Sequence, residues 1–184
     1  MPTLHPDHTT DRASSLRIAA WTAAAALWLA PWVAMQFTHE VRWTPADFAV
    51  FGALLLAAGG GLELAFRHSV DRAWRAGAAM ALATAFLLLW VHGAVGLTGP
   101  EVPVASLLVP GVPAAGLLGA LHARFRPRGM ARAMVAAAVA QAALAGLAWA
   151  TKSAPAAGLA AILVVPWLVS ARLFLAASRV TSRR

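Results

Sequence analysis

The sequence contains no cysteine. That excludes disulfides, thiolate nucleophiles and cysteine metal sites. Charge is scarce as well: only 12% of residues are Asp, Glu, Lys or Arg, against about 25% in an ordinary soluble domain. Acids are the rarer sign, 7 against 15 basic residues, which leaves a net charge of +8. No HxxxH or HExxH spacing occurs, so paired metal ligands on one helix face are missing. A phosphate-binding glycine loop, a nucleophile–base pair and a cofactor motif are also lacking. No polar stretch is long enough for a catalytic domain outside a membrane. These gaps argue against an enzyme and imply no cofactor and no metal.

What remains is apolar. Sixty per cent of the 184 residues are hydrophobic, and they fall into runs near the twenty residues that cross a bilayer as a helix. Six runs are predicted to span: Leu16–Thr38, Pro45–Phe66, Trp74–Leu97, Pro103–His122, Met130–Ala150 and Pro155–Ala177. Barrel strands would alternate apolar and polar residues over about ten positions, and no such alternation occurs. The expected fold is all-α, an integral membrane bundle of six transmembrane helices.

The short connections carry most of the charge, and they carry it asymmetrically. Counting the runs as alternating crossings, Arg12 and Arg17, Arg67–Arg75, Arg124–Arg132 and Arg172–Arg184 fall on one side. Only Arg42 and Lys152 fall on the other. Positive residues accumulate on the cytoplasmic side, so both termini are expected there, N-in and C-in. The fourth run, with Pro103, Pro110 and Pro113, is the weakest, but leaving it uncrossed would put Arg124–Arg132 outside. The same placement assigns the net charge to anionic lipid headgroups rather than to nucleic acid.

Residues 1–15 are expected to form a disordered cytoplasmic tail, 16–178 the six-helix domain, and 179–184 a basic cytoplasmic C-terminal tail. Arg12 and Arg17 ahead of the first run resemble a signal-peptide start. The run is long, holds Trp21, Trp28 and Trp32 and lacks a clear small-residue cleavage site, so it reads as a retained anchor helix. The bias toward Ala, and toward Arg over Lys, suggests a bacterial source, and the apolar runs then place the chain in the inner membrane as a multi-pass protein.

One acid stands inside an apolar run. Glu63 follows Gly59-Gly60-Gly61 and precedes Arg67 by four residues, the favourable acid-before-base order on a helix. Arg172 on the last run lies at a similar depth. The preferred reading is an ion pair, Glu63 with Arg67 or with Arg172, that holds helices together. The sharper reading is a proton-carrying carboxylate, because acids within a membrane are functional candidates. Gly59, Gly60 and Gly61 are candidates for close helix packing.

The first outer loop is Thr38-His39-Glu40-Val41-Arg42-Trp43-Thr44-Pro45-Ala46-Asp47-Phe48. Thr44 reads as an N-cap, Pro45 as the first helical residue and Asp47 as the acid three positions after the cap. His39, Glu40, Asp47, His92 and Glu101 approach one outer rim in this topology. A hydrogen-bonded rim is preferred there over a metal site. Val109-Pro110-Gly111-Val112-Pro113 is expected to kink or interrupt the fourth helix, and Gln141 to bond across helices. Trp74 is assigned to the inner aromatic belt.

The segment Met35-Gln36-Phe37-Thr38, Glu40-Val41, Trp43 and Asp47-Phe48, followed by the Gly-rich helix ending in Glu63, resembles a family of small, uncharacterised multi-spanning bacterial inner-membrane proteins. Arg75-Ala76-Gly77 with Val95-Gly96, and Ala123–Ala133, fit the same pattern. The resemblance covers roughly Met35 to Gln141 and implies the architecture, with no activity attached. The chain departs from the pattern at His39 and His92, where the family carries Asp and Asn.

Three functions are compatible with this reading. The first is a structural or accessory bundle binding partner proteins or lipids through Gly59–Gly61 and the basic loops; a membrane-protein partner fits it, whereas a lone protein or a homo-oligomer favours the second. The second is a small proton-coupled transporter or channel-like protein using Glu63. The third is an intramembrane metal-dependent enzyme using the outer rim. They rank in that order, because the ionisable groups sit near the interfaces and leave no polar path across the middle.

Overall fold

A computed structural model describes the backbone of residues 8–95, 103–150 and 154–181, and side chains at 15, 17–94, 108–150 and 157–179. Among these described residues seven helices follow in order: α1 (His8–Phe37), α2 (Pro45–His68), α3 (Arg72–Val95), α4 (Pro103–His122), α5 (Pro127–Ala150), α6 (Ala154–Ile162) and α7 (Val164–Thr181). Among the described residues there is no strand. Five stretches among the described residues are long and apolar enough to cross a membrane: Arg17–Phe37, Pro45–His68, Arg72–Ala94, Pro127–Ala150 and Ala157–Arg179. A shorter apolar helix, Leu108–His122, comes from α4. The chain is a helical membrane protein. Exposed Trp32, Phe37, Val50, Leu56, Val135 and Val139 suit contact with lipid tails.

Three boundaries differ from the sequence reading. Helix α1 begins at His8, inside the stretch expected to be irregular. Extending a formed helix is far cheaper than starting one, so the apolar run carries its neighbours along. Helix α4 is continuous through Pro110 and Pro113, so the helix is not interrupted there. The last run is the one that breaks, into α6 and α7, with Leu163 as a turn between them. Pro166 has no N–H for the carbonyl of Ile162 and its ring crowds that carbonyl.

The chain divides into two compact units, Met1–Gly59 and Gly60–Arg184. In the first, tryptophans of α1 fit glycines of α2. A Cβ at Gly59 would lie 3.1 Å from the Trp21 ring, and one at Gly52 would lie 2.9 Å from Trp28 Nε1. Both partners recur after seven residues, two turns of helix, so each tryptophan meets a glycine at the same register. Trp28 Nε1 donates to the Phe48 carbonyl at 2.9 Å, and the two rings meet edge-on. Trp43 packs edge-on against both Phe48 and buried Phe51.

In the second unit α5 and α7 form the centre. Helix α5 packs on α4, α6 and α7, and α7 packs on α3. Small residues set these distances. A Cβ added at Gly119 of α4 would lie 2.7 Å from the Ala133 Cβ of α5. One added at Gly77 of α3 would lie 3.2 Å from the buried Phe174 ring of α7. Lipid offers no hydrophobic drive between helices, so such close approach is what favours association. Two buried bonds fix the register. Ser170 Oγ donates to the Gly77 carbonyl at 2.8 Å, and Gln141 Nε2 donates to the Ala160 carbonyl at 2.9 Å, in the last turn of α6 before the break.

Candidate functional site

A cavity of about 430 Å³ lies within the second unit. Its walls follow from helical periodicity. On α2 the lining residues are Gly61, Leu64, Ala65 and His68; on α4 they are Pro113, Gly116, Leu117 and Ala120. Each set is spaced i, i+3, i+4, i+7, one face of a helix. Helix α3 adds Trp74, Ala78, Ala81, Leu82 and Ala85, again one face, and Met130, Met134 and Trp167 come from α5 and α7. The walls are almost entirely hydrocarbon. Leu64, Leu117 and His68 are exposed, so the space is a groove with an opening and not a sealed void.

One end of the groove is formed by two short turns. Between α2 and α3, Asp71 accepts a bond from the Trp74 backbone N–H at 2.7 Å and caps α3, while Ser69 Oγ accepts from the Asp71 N–H. Arg75 closes the other side of this turn. Its guanidinium donates to the Ser69 and Phe66 carbonyls and lies 4.8 Å over the Phe66 ring. A cation on the last carbonyls of α2 matches the negative end of the helix dipole.

Between α4 and α5, the Phe125 N–H reaches the Ala120 carbonyl and the Arg124 N–H reaches the Leu121 carbonyl. This is the paired bond pattern of a Schellman motif. Arg124 and Phe125 both take positive φ, 49° and 58°, a conformation that costs roughly 1–2 kcal/mol per non-glycine residue.

The two turns meet. Trp74 Nε1 donates to the Phe125 carbonyl at 3.4 Å. The His68 ring lies 5.0 Å from Trp74 and 5.5 Å from Phe125, centroid to centroid. Trp74 also packs edge-on against Phe174. Trp74 is therefore buried at 4% exposure. Both turns are rich in arginine, and Arg67, Arg72, Arg124, Arg126 and Arg128 are exposed.

The residues singled out by sequence are distributed differently. Glu63 forms an ion pair with Arg67 on the same helix, one of the two partners considered. Arg172 is exposed and pairs with no acid among the described residues. The cavity-lining set on α2 is Gly61, Leu64, Ala65 and His68. At 3.6 residues per turn, Glu63 lies roughly 150° round the helix from the middle of that set. The acid therefore sits on the α2 face turned away from the cavity. Of the three glycines, Gly59 receives Trp21, Gly61 lies close to Leu82, and Gly60 faces open space.

Asp47 is occupied in a cap. Its Oδ2 accepts from the Thr44 N–H at 2.7 Å and from the Thr44 hydroxyl at 2.8 Å, and its own N–H donates to Thr44 Oγ1 at 3.3 Å. His39 and Glu40 precede this cap in the same loop. His92 lies half-buried on α3 in the second unit, and Glu101 lies outside the described residues. Among the described residues no three His, Asp or Glu side chains converge as a metal site would require.

Sequence reasoning did not single out Asp71, Phe125, Ser170 or Trp167. Ser69-Val70-Asp71 ahead of an apolar run is a legible cap signal. Phe125 and Trp167 carry no local signal, because only the packing of distant helices gives them partners. Compared with family models, curated proteins and solved structures, the chain matches none of them.

Proposed function

We propose that the chain is a six-span inner-membrane bundle, N-in and C-in, that acts by binding lipids or partner proteins and not by chemistry. The observation that carries this reading is the position of Glu63, paired with Arg67 on the α2 face turned away from the apolar cavity. A proton-coupled carrier needs a titrating group in the space its substrate crosses. The space here is lined mainly by leucine, alanine, methionine and aromatic rings, and the one ionisable side chain among the described lining residues, His68, stands exposed at its opening rather than along its length. Counting α4 as a sixth crossing keeps Arg67–Arg75 and Arg124–Arg132 on one side, as the positive-inside bias requires. The resemblance of the Thr38–Phe48 loop to bacterial inner-membrane proteins supports the location.

Purified protein in proteoliposomes tests the reading. Under an imposed pH gradient, proton leak should equal that of empty vesicles, in wild type and in Glu63→Gln alike. A flux present in wild type and abolished by Glu63→Gln overturns it in favour of the transporter.

A further inference from the structure

We propose that the cavity of the second unit is a binding site for one acyl chain of an anionic phospholipid, with the headgroup phosphate held at the joined turns by Arg124 and Arg126. The proposal rests on the binding reading above and names its ligand.

Size and lining select the chain. A cavity of about 430 Å³, at roughly 30 Å³ per water-sized group, takes about fourteen methylenes. A whole helix does not fit inside the same volume. At a radius of about 5 Å and a pitch of 5.4 Å, a single turn already fills roughly 420 Å³. Water finds few of the polar partners it needs on these walls. Met130 and Met134 line the cavity, and unbranched thioether chains adapt to a flexible occupant.

Charge selects the headgroup. Moving a chain from bilayer hydrocarbon into an apolar groove changes little, since lipid tails are as apolar as leucine. Selectivity must therefore come from the rim. Phe125 lines the cavity, and the exposed Arg124 and Arg126 flank it in sequence. The nearby acid, Asp71, is engaged by the Trp74 N–H, and Glu63 is paired with Arg67. Each arginine near the surface favours an anionic lipid by roughly five-fold.

The test uses the full chain in phosphatidylcholine vesicles with a trace of phosphatidylglycerol carrying a diazirine on its acyl chain. After photolysis, mass spectrometry maps the adducts. Adducts are expected on the cavity residues Leu82, Ala85 and Met134 beyond those on outward-facing Leu87 and Val139. Unlabelled phosphatidylglycerol should displace the cavity adducts, and phosphatidylcholine should not. Arg124→Gln with Arg126→Gln should weaken cavity labelling by roughly twenty-five-fold, with labelling of Leu87 and Val139 unchanged. Ala81→Phe, which fills the groove, should abolish it. If that variant does not fold, the wild-type competition decides. Equal labelling of cavity and outer faces, or displacement by either lipid alike, overturns the proposal. A stoichiometric protein partner without cavity adducts would also end it, while leaving the broader binding reading in place.

Discussion

Trp74 Nε1 donates to the carbonyl of Phe125, fifty-one residues away, and thereby ties the α2–α3 turn to the α4–α5 turn. The bond is long at 3.4 Å, so most of the tie comes from ring burial against Phe174 and His68. Trp74→Phe keeps much of that burial and should cost only about 0.5–1.5 kcal/mol. Trp74→Ala should cost about 3–5 kcal/mol. Thermal unfolding in detergent separates the two. Equal losses would mean that the hydrogen bond, and not the packing, joins the turns.

Glycines should differ sharply by position. Leucine at Gly77 or Gly119 must push apart α3 and α7, or α4 and α5, where an added Cβ already meets Phe174 or Ala133. Overpacking of this kind costs about 1–3 kcal/mol. Gly60 faces open space, so Gly60→Ala should be neutral or gain up to about 1 kcal/mol from helix propensity. A loss at Gly60 as large as that at Gly77 would contradict the packing described here.

The contrast marks what the sequence could say. Run length located most helices to within a few residues, because the bilayer imposes one length on all of them. The Thr44–Asp47 cap was legible, since its partners are three residues apart. Of Gly59-Gly60-Gly61, the sequence could not say which would be crowded, because that depends on where Trp21 and Leu82 arrive. A kink or interruption is expected from the sequence at Pro110 and Pro113, yet the break in the last run falls near Pro166. There Gln141 on α5 supplies a donor to an α6 carbonyl, which is a tertiary contact. The cavity was illegible for the same reason, as its faces come from five helices and a turn.

Gln141 is fully buried, and its amide supports the Ala160 carbonyl beside the α6–α7 break. Gln141→Leu should lower stability by about 0.6 kcal/mol and at most about 1.7 kcal/mol, the mean and the maximum for polar contacts between membrane helices. The loss should appear as faster proteolysis near Leu163. An unchanged cleavage rate there would show that the break holds without Gln141.

Glu63 and Arg67 form a pair in which the arginine is largely exposed. Pairs at this spacing contribute about 0.2–0.5 kcal/mol. Glu63→Gln should therefore shift the melting temperature slightly, and less at high salt. A large, salt-independent loss would mean that Glu63 is a structural keystone.

Because the chain has no cysteine, single cysteines report topology without background. Val70→Cys and Arg126→Cys should react with a membrane-impermeant maleimide only from the cytoplasmic side, and His39→Cys only from the opposite side. Labelling of Val70→Cys and Arg126→Cys from opposite sides would remove α4 as a crossing.

The most direct test of the central claim is mild purification from native membranes, followed by native mass spectrometry. A binding bundle predicts the protein carrying a bound lipid or a partner subunit in fixed stoichiometry, retained through detergent exchange. A bare protein that holds nothing in fixed ratio would contradict it, and more so if it conducted protons when reconstituted.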